Sequence, residues 1–167
     1  MIVLVGTMAV AAALDVKDRR IPNWLPLTGL LLALFVRALP GGPVFLPGIT
    51  GFLVAFVLVL PLFAFGLLGG GDAKLFMVVG ALLGPVPFLI SFLYASVAGG
   101  LMALAAAGAS GGVKTLLYRT MAFATMVATM GKRGLRMSVS EPSAVTIPYG
   151  VAIAVGALVA YFLPFTG

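Results

Sequence analysis

The sequence predicts an all-α, polytopic membrane protein with about six transmembrane helices and a further helix on the cytoplasmic surface. The 167 residues are 62% hydrophobic and 8% charged, whereas soluble domains carry about 25% charged residues. The mean hydropathy is +1.24. The apolar runs are continuous and lack the alternation of barrel strands, so helices are expected to cross the membrane.

Six apolar runs define the expected helices, each judged against the ~20 residues that a crossing needs. The fourth is short and is interrupted by Pro85 and Pro87. No soluble domain stands out, so residues 1–167 are expected to form a single transmembrane domain. The runs are Ile2 to Val16, Trp24 to Leu39, Val44 to Leu68, Leu75 to Leu83, Val86 to Ala107 and Ala144 to Leu163.

The first helix is expected to extend beyond its apolar run. Ile2 to Leu14 would be about 20 Å long as a helix, too short for a ~30 Å core. The helix should therefore continue through Asp15 to Arg20. Pro22 disfavours helix at the residue before it and marks the turn into the second span.

Charge placement predicts the orientation. No basic residue precedes the first run, and Lys17, Arg19 and Arg20 follow it, so this run is not a signal peptide and its end faces the cytoplasm. Six crossings then place nine of the ten Lys and Arg residues inside, with only Arg37 outside. The expected location is the inner membrane, with anionic lipids and no nucleic acid as partners of the basic residues.

The longest polar connection, residues 110–142, mixes basic residues with apolar ones. The stretch from Lys114 to Arg136 suits a helix lying in the membrane interface. A short helix packed against the bundle is the open alternative.

Cysteine and histidine are both absent. This excludes disulfides, Cys/His zinc sites and Ser-His or Cys-His catalytic pairs. Hydrolytic chemistry would have to use carboxylates, a lysine or hydroxyls, and no metal or cofactor is expected.

Asp15 and Asp72 are the candidates for that chemistry, because the predicted order of membrane crossings places both at the cytoplasmic face. Two carboxylates about 3 Å apart share a proton, so that one can activate water while the other polarises a carbonyl. One alternative is structural: Asp15 would pair with Arg19, and Asp72 with Lys74 or with the positive end of the following helix, with Gly69 to Gly71 as a turn. The other is a proton or cation relay in a transporter or channel subunit. Gly69, Gly70 and Gly71 before Asp72 are expected to supply irregular backbone that could hold an extended peptide.

Three segments resemble the type IV prepilin peptidases. They are Asp-Val-Lys-Asp-Arg-Arg-Ile-Pro-Asn at 15–23, Gly-Gly-Gly-Asp-Ala-Lys-Leu at 69–75 and Ile-Pro-Tyr-Gly at 147–150. The resemblance implies a six-helix intramembrane aspartic endopeptidase that removes the basic leader of prepilins at the cytoplasmic face. Asp15 and Asp72 would be catalytic. Residues implied in substrate binding or backbone support are Gly69, Gly70, Gly71, Lys74, Pro148, Tyr149 and Gly150.

The chain is similar to the short form of that family, which serves tight-adherence (Flp-type) pili. Longer members carry a four-cysteine insertion associated with N-methylation, and here the first span leads directly into the Asp15 motif. The resemblance therefore implies a peptidase without methyltransferase activity, whose substrates are small pilins with a basic leader followed by a hydrophobic helix.

Overall fold

The computed structural model describes residues 2–19, 21–39, 45–65, 67–109, 121 and 148–163. These residues form six α-helices and no strand, so the all-α prediction is confirmed. The interfacial helix predicted between Lys114 and Arg136 lies outside the described residues, apart from Met121. The helices are α1 (Ile2–Asp18), α2 (Trp24–Ala38), α3 (Phe45–Ala64), α4 (Gly70–Leu83), α5 (Pro85–Ala109) and α6 (Tyr149–Phe162).

Two of the described helices, α3 and α5, are long and apolar enough to cross a membrane. The helices α2 and α6 are apolar but shorter. A total of six crossings stays a prediction.

The chain divides into two compact units. The first comprises Met1–Gly99 and Pro148–Gly167, and the second comprises Gly100–Ile147. Both candidate aspartates belong to the first unit, while the described part of the second is the end of α5 and Met121.

The first helix ends slightly earlier than predicted. It runs past its apolar part and ends at Asp18, and Arg19 follows in a left-handed conformation with φ 50°. A left-handed residue at this position is a common way to end a helix, although glycine usually supplies it.

The predicted break after the fourth run is confirmed. Gly84, with φ 88°, separates α4 from α5, and its N–H donates to the Gly80 carbonyl oxygen at 2.9 Å. Pro85 then begins α5, where its missing N–H removes no helical hydrogen bond.

The helices α3 and α4 are packed backbone against backbone. A Cβ atom added to Gly51 would collide with the Gly80 carbonyl oxygen and with Gly84. Small residues allow such close approach between helices in a membrane.

Arg37, at the end of α2, fixes the far end of α4. Its Nε donates to the Ala81 carbonyl oxygen at 3.0 Å, and its Nη2 donates to that of Leu82 at 3.1 Å. A cation at these carbonyls is favourable because they lie at the negative end of the helix dipole.

Candidate active site

Asp15 lies in the last turn of α1 and is buried, with 6% of its surface exposed. Its Oδ2 accepts a hydrogen bond of 2.5 Å from the backbone N–H of Gly150, in the first turn of α6. A helix N-terminus favours a negative charge. Burying a carboxylate disfavours its charge, and the contact with Gly150 and the nearby charge of Arg19 oppose that effect.

Gly150 has no room for a side chain. A Cβ atom at this position would lie 2.8 Å from Asp15 Oδ2 and 3.2 Å from its Cγ. The structure thus brings the Pro148-Tyr149-Gly150 element to Asp15, across 135 positions of sequence.

Tyr149 is half-buried beside this contact. Its side chain is hydrogen-bonded to that of Ser96, its ring packs against Gly99, and its centroid lies 6.5 Å from that of Phe76. Ser96, Gly99 and Phe76 therefore help to hold the start of α6. Their role could not be foreseen, since each lies in an apolar run with no distinguishing motif.

Asp72 lies in the first turn of α4 and is partly buried. Its carboxylate reaches back to the N–H of Gly69, the N-cap residue of the same helix. This is one half of a capping box, in which the third helical residue satisfies the N-cap amide. A carboxylate is also favoured here by the helix dipole.

The structure brings Asp15 and Asp72 together, close enough for the charge of Asp15 to act on Asp72. Helix packing achieves this, since α6 contacts both α1 and α4. The chain has two other acidic residues, Asp18 and Glu141. Asp18 is exposed, and Glu141 lies outside the described residues. Among the described residues, no group of three His, Cys, Asp or Glu side chains could hold a metal ion.

The three glycines before Asp72 differ from the expected irregular stretch. Gly70 and Gly71 already belong to α4, and only Gly69 is extended, with φ −65° and ψ 148°. The carboxylate of Asp72 explains this, because its capping contact starts the helix immediately after Gly69. A Cβ atom on Gly69, which is exposed, would lie 2.8 Å from Asp72 Oδ2, and one on Gly71 would lie 2.9 Å from Ile21 Cβ. A Cβ atom on Gly70 would make an ordinary 3.4 Å contact with Phe63.

Lys74 is exposed and donates from Nζ to Asn23 Oδ1 at 2.8 Å. Two residues apart on a helix, Lys74 and Asp72 lie on nearly opposite faces. The ammonium group is therefore bound to the start of α2, away from the carboxylates.

The two aspartates and the segment 21–23 all lie within a stretch that matches a known family. A model of the type IV leader peptidase family matches residues 2–104. The chain belongs to this family. Neither the curated proteins nor the solved structures compared with the chain gave a match.

Membership of the type IV leader peptidase family implies a peptidase, of the aspartic type in this family, with a prepilin as its substrate. The family and the two long apolar helices together indicate a membrane protein. The match ends before Pro148, so the contact of Gly150 with Asp15 is a separate observation from the family assignment.

Proposed function

We propose that this chain is a prepilin leader peptidase that uses Asp15 and Asp72 as an intramembrane catalytic pair. The observation that supports the proposal most directly is the hydrogen bond from the Gly150 N–H, at the start of α6, to Asp15. Asp15 is also near enough to Asp72, in the first turn of α4, for its charge to act on that carboxyl. The proposed substrates are Flp-like prepilins, cut after a short basic leader that precedes a hydrophobic helix.

The pair performs the hydrolysis by sharing one proton. The Gly150 N–H and the charge of Arg19 both favour the anion of Asp15, so Asp15 accepts a proton from the attacking water. Asp72 carries the shared proton and polarises the scissile carbonyl. As the C–N bond breaks, the leaving amine receives a proton from the pair, which returns the site to its starting state.

The site is proposed to face the cytoplasm from the inner membrane, in a multi-pass protein. The exposed residues Lys17, Arg19 and Lys74 lie at the ends of α1 and α4 that carry the aspartates. Basic residues at one end of the helices are typical of the cytoplasmic side and of contact with anionic lipids.

The decisive experiment is cleavage of a synthetic prepilin by the purified protein in detergent, with the products measured by mass. We expect one cut between the basic leader and the hydrophobic segment. Asp15→Asn and Asp72→Asn should abolish it, and Asp18→Asn, at an exposed position on the same helix as Asp15, is the matched control. An intact substrate after incubation with the folded wild-type protein would refute the proposal.

A further inference from the structure

Asn23 occupies the N-cap position of α2 but does not cap it. Its side chain makes no capping hydrogen bond, although asparagine is among the best N-cap residues and a cap typically contributes ~1 kcal/mol. The side-chain oxygen instead accepts a hydrogen bond from Lys74 of α4. The side chain of Asn23 therefore binds a residue 51 positions away in sequence instead of capping its own helix.

A second contact joins the same two segments. A Cβ atom on Gly71 would lie 2.9 Å from Ile21 Cβ and 3.2 Å from the Ile21 carbonyl oxygen. The segment 21–23 therefore touches the first turn of α4 at Gly71 and again at Lys74. We call these two contacts the 21–23 brace.

The segment 21–23 lies between the two aspartates along the chain. It begins six positions after Asp15 and contacts the residues on both sides of Asp72. The first turn of a helix lacks intrahelical partners for its N–H groups and is the part most prone to fray. The two contacts of the brace hold the first turn of α4 against the segment that follows α1. They therefore fix the position of Asp72 relative to Asp15.

We propose that Lys74 and Asn23 are positioning residues that set the separation of the two aspartates. The proposal rests on the proposed function and goes beyond it. Lys74 acts here on α4 and not on the peptide substrate. The apolar groove that Lys74 and Asn23 line with Pro26, Leu30 and Met77 lies on this side of α4, so a direct role in binding substrate is the competing explanation.

Steady-state kinetics separates these explanations. Lys74→Met and Asn23→Ala each remove one partner, and each should lower kcat between about tenfold and 100-fold, as expected for a shift of catalytic groups by ~1 Å. KM should change less than about twofold, and the double variant should match either single variant because one contact is lost in all three. Lys17→Met, which removes another exposed lysine near Asp15, is the control and should keep wild-type kcat.

Substitution of the acceptor provides a rescue test. Asn23→Asp keeps an oxygen in place and should retain most of the activity beside Lys74, but not in combination with Lys74→Met. A raised KM with unchanged kcat in Lys74→Met, or additive effects in the double variant, would overturn the proposal and identify Lys74 as a substrate contact.

A disulfide assay tests the brace without any catalysis. The chain has no cysteine, so Ile21→Cys with Gly71→Cys introduces the only two thiols. A Cβ atom on Gly71 would lie 2.9 Å from Ile21 Cβ, so a separation of the two segments by about 1 Å gives the 3.5–4.5 Å of a disulfide. Free thiols remaining after oxidation are counted by a maleimide that shifts the band on a gel. Disulfide formation should be severalfold slower when Lys74→Met or Asn23→Ala is added and unchanged with Lys17→Met.

The two assays can fail independently. Slower disulfide formation in a protein that never cleaves prepilin would support the brace and refute the proposed function. Robust cleavage with unchanged kcat and unchanged disulfide formation in Lys74→Met would refute the brace and leave the function standing.

Discussion

Replacing Gly150 with alanine should slow catalysis strongly while leaving the fold intact. The added methyl group would lie 2.8 Å from Asp15 Oδ2 and 3.1 Å from Asp15 Cβ, closer than the 3.5–4.0 Å optimum for nonbonded carbon atoms. Either the start of α6 withdraws or the Asp15 carboxylate turns away, and both lengthen the hydrogen bond from the Gly150 N–H. Alanine is otherwise favourable in a helix, by up to ~1 kcal/mol over glycine.

The size of the effect follows from that hydrogen bond. A bond to a charged group contributes about 1.5–3 kcal/mol, and every 1.4 kcal/mol is a factor of ten, so kcat should fall between about tenfold and 150-fold. The assay is prepilin cleavage at saturating substrate, with membrane levels matched by blotting. Gly6→Ala is the control, since a Cβ atom at this helical position would meet no other described atom within 4 Å. Wild-type kcat in Gly150→Ala would show that the contact with Asp15 has no part in the reaction.

Three further predictions concern the same site. Asp15→Asn and Asp72→Asn should each reduce cleavage to background, with no further loss in the double variant. Asp18→Asn should keep most activity. Measurable turnover by Asp72→Asn would contradict the shared proton. Cleavage by the wild type should fall at low pH, where both carboxyls are protonated, and at high pH, where both are ionised, and a pH–rate profile that rises to a plateau without a second limb would argue against the pair. Gly71→Ala should lower activity far more than Gly70→Ala, because only Gly71 abuts Ile21; equal rates in the two variants would show that the crowding is relieved without cost.

The processed pilin should leave this enzyme with an unmethylated N-terminus. The expectation comes from the absence of a cysteine-bearing insertion between the first span and the Asp15 motif. Mass spectrometry of the product, with a methyl donor supplied, tests it. A gain of one methyl group that requires only this protein would show the expectation to be wrong.

The parts of the structure that could be predicted depend on local rules. Pro85 predicts the break after the fourth run because proline is tolerated at the start of a helix but not in its interior, and Asp15 could be placed in the first helix because the apolar run before it is too short. Asn23 shows where such rules stop. An asparagine before Trp24 has the local signature of a cap, and only the distant Lys74 gives its side chain a different partner.

The glycines show the same limit. The sequence presents Gly69, Gly70 and Gly71 as equivalent, yet their surroundings come from Asp72, Phe63 and Ile21 respectively. Likewise, nothing near Asp15 in the sequence indicates that its hydrogen-bond donor is Gly150. These contacts arise from tertiary packing, which local propensity does not encode.

The length of α4 has a consequence for the surrounding lipid. Its 14 residues extend about 21 Å, against a hydrocarbon core of ~30 Å. Polar groups stand at both ends, the carboxyl of Asp72 in the first turn and the guanidinium of Arg37 on the last carbonyls, so covering them with acyl chains would carry an energetic penalty. If α4 crosses the membrane as predicted, a mismatch of this size would favour thinning of the bilayer next to it. Thinning would shorten the path of water to the carboxylates, so we expect turnover to depend on the acyl-chain length of the lipids in which the protein is reconstituted.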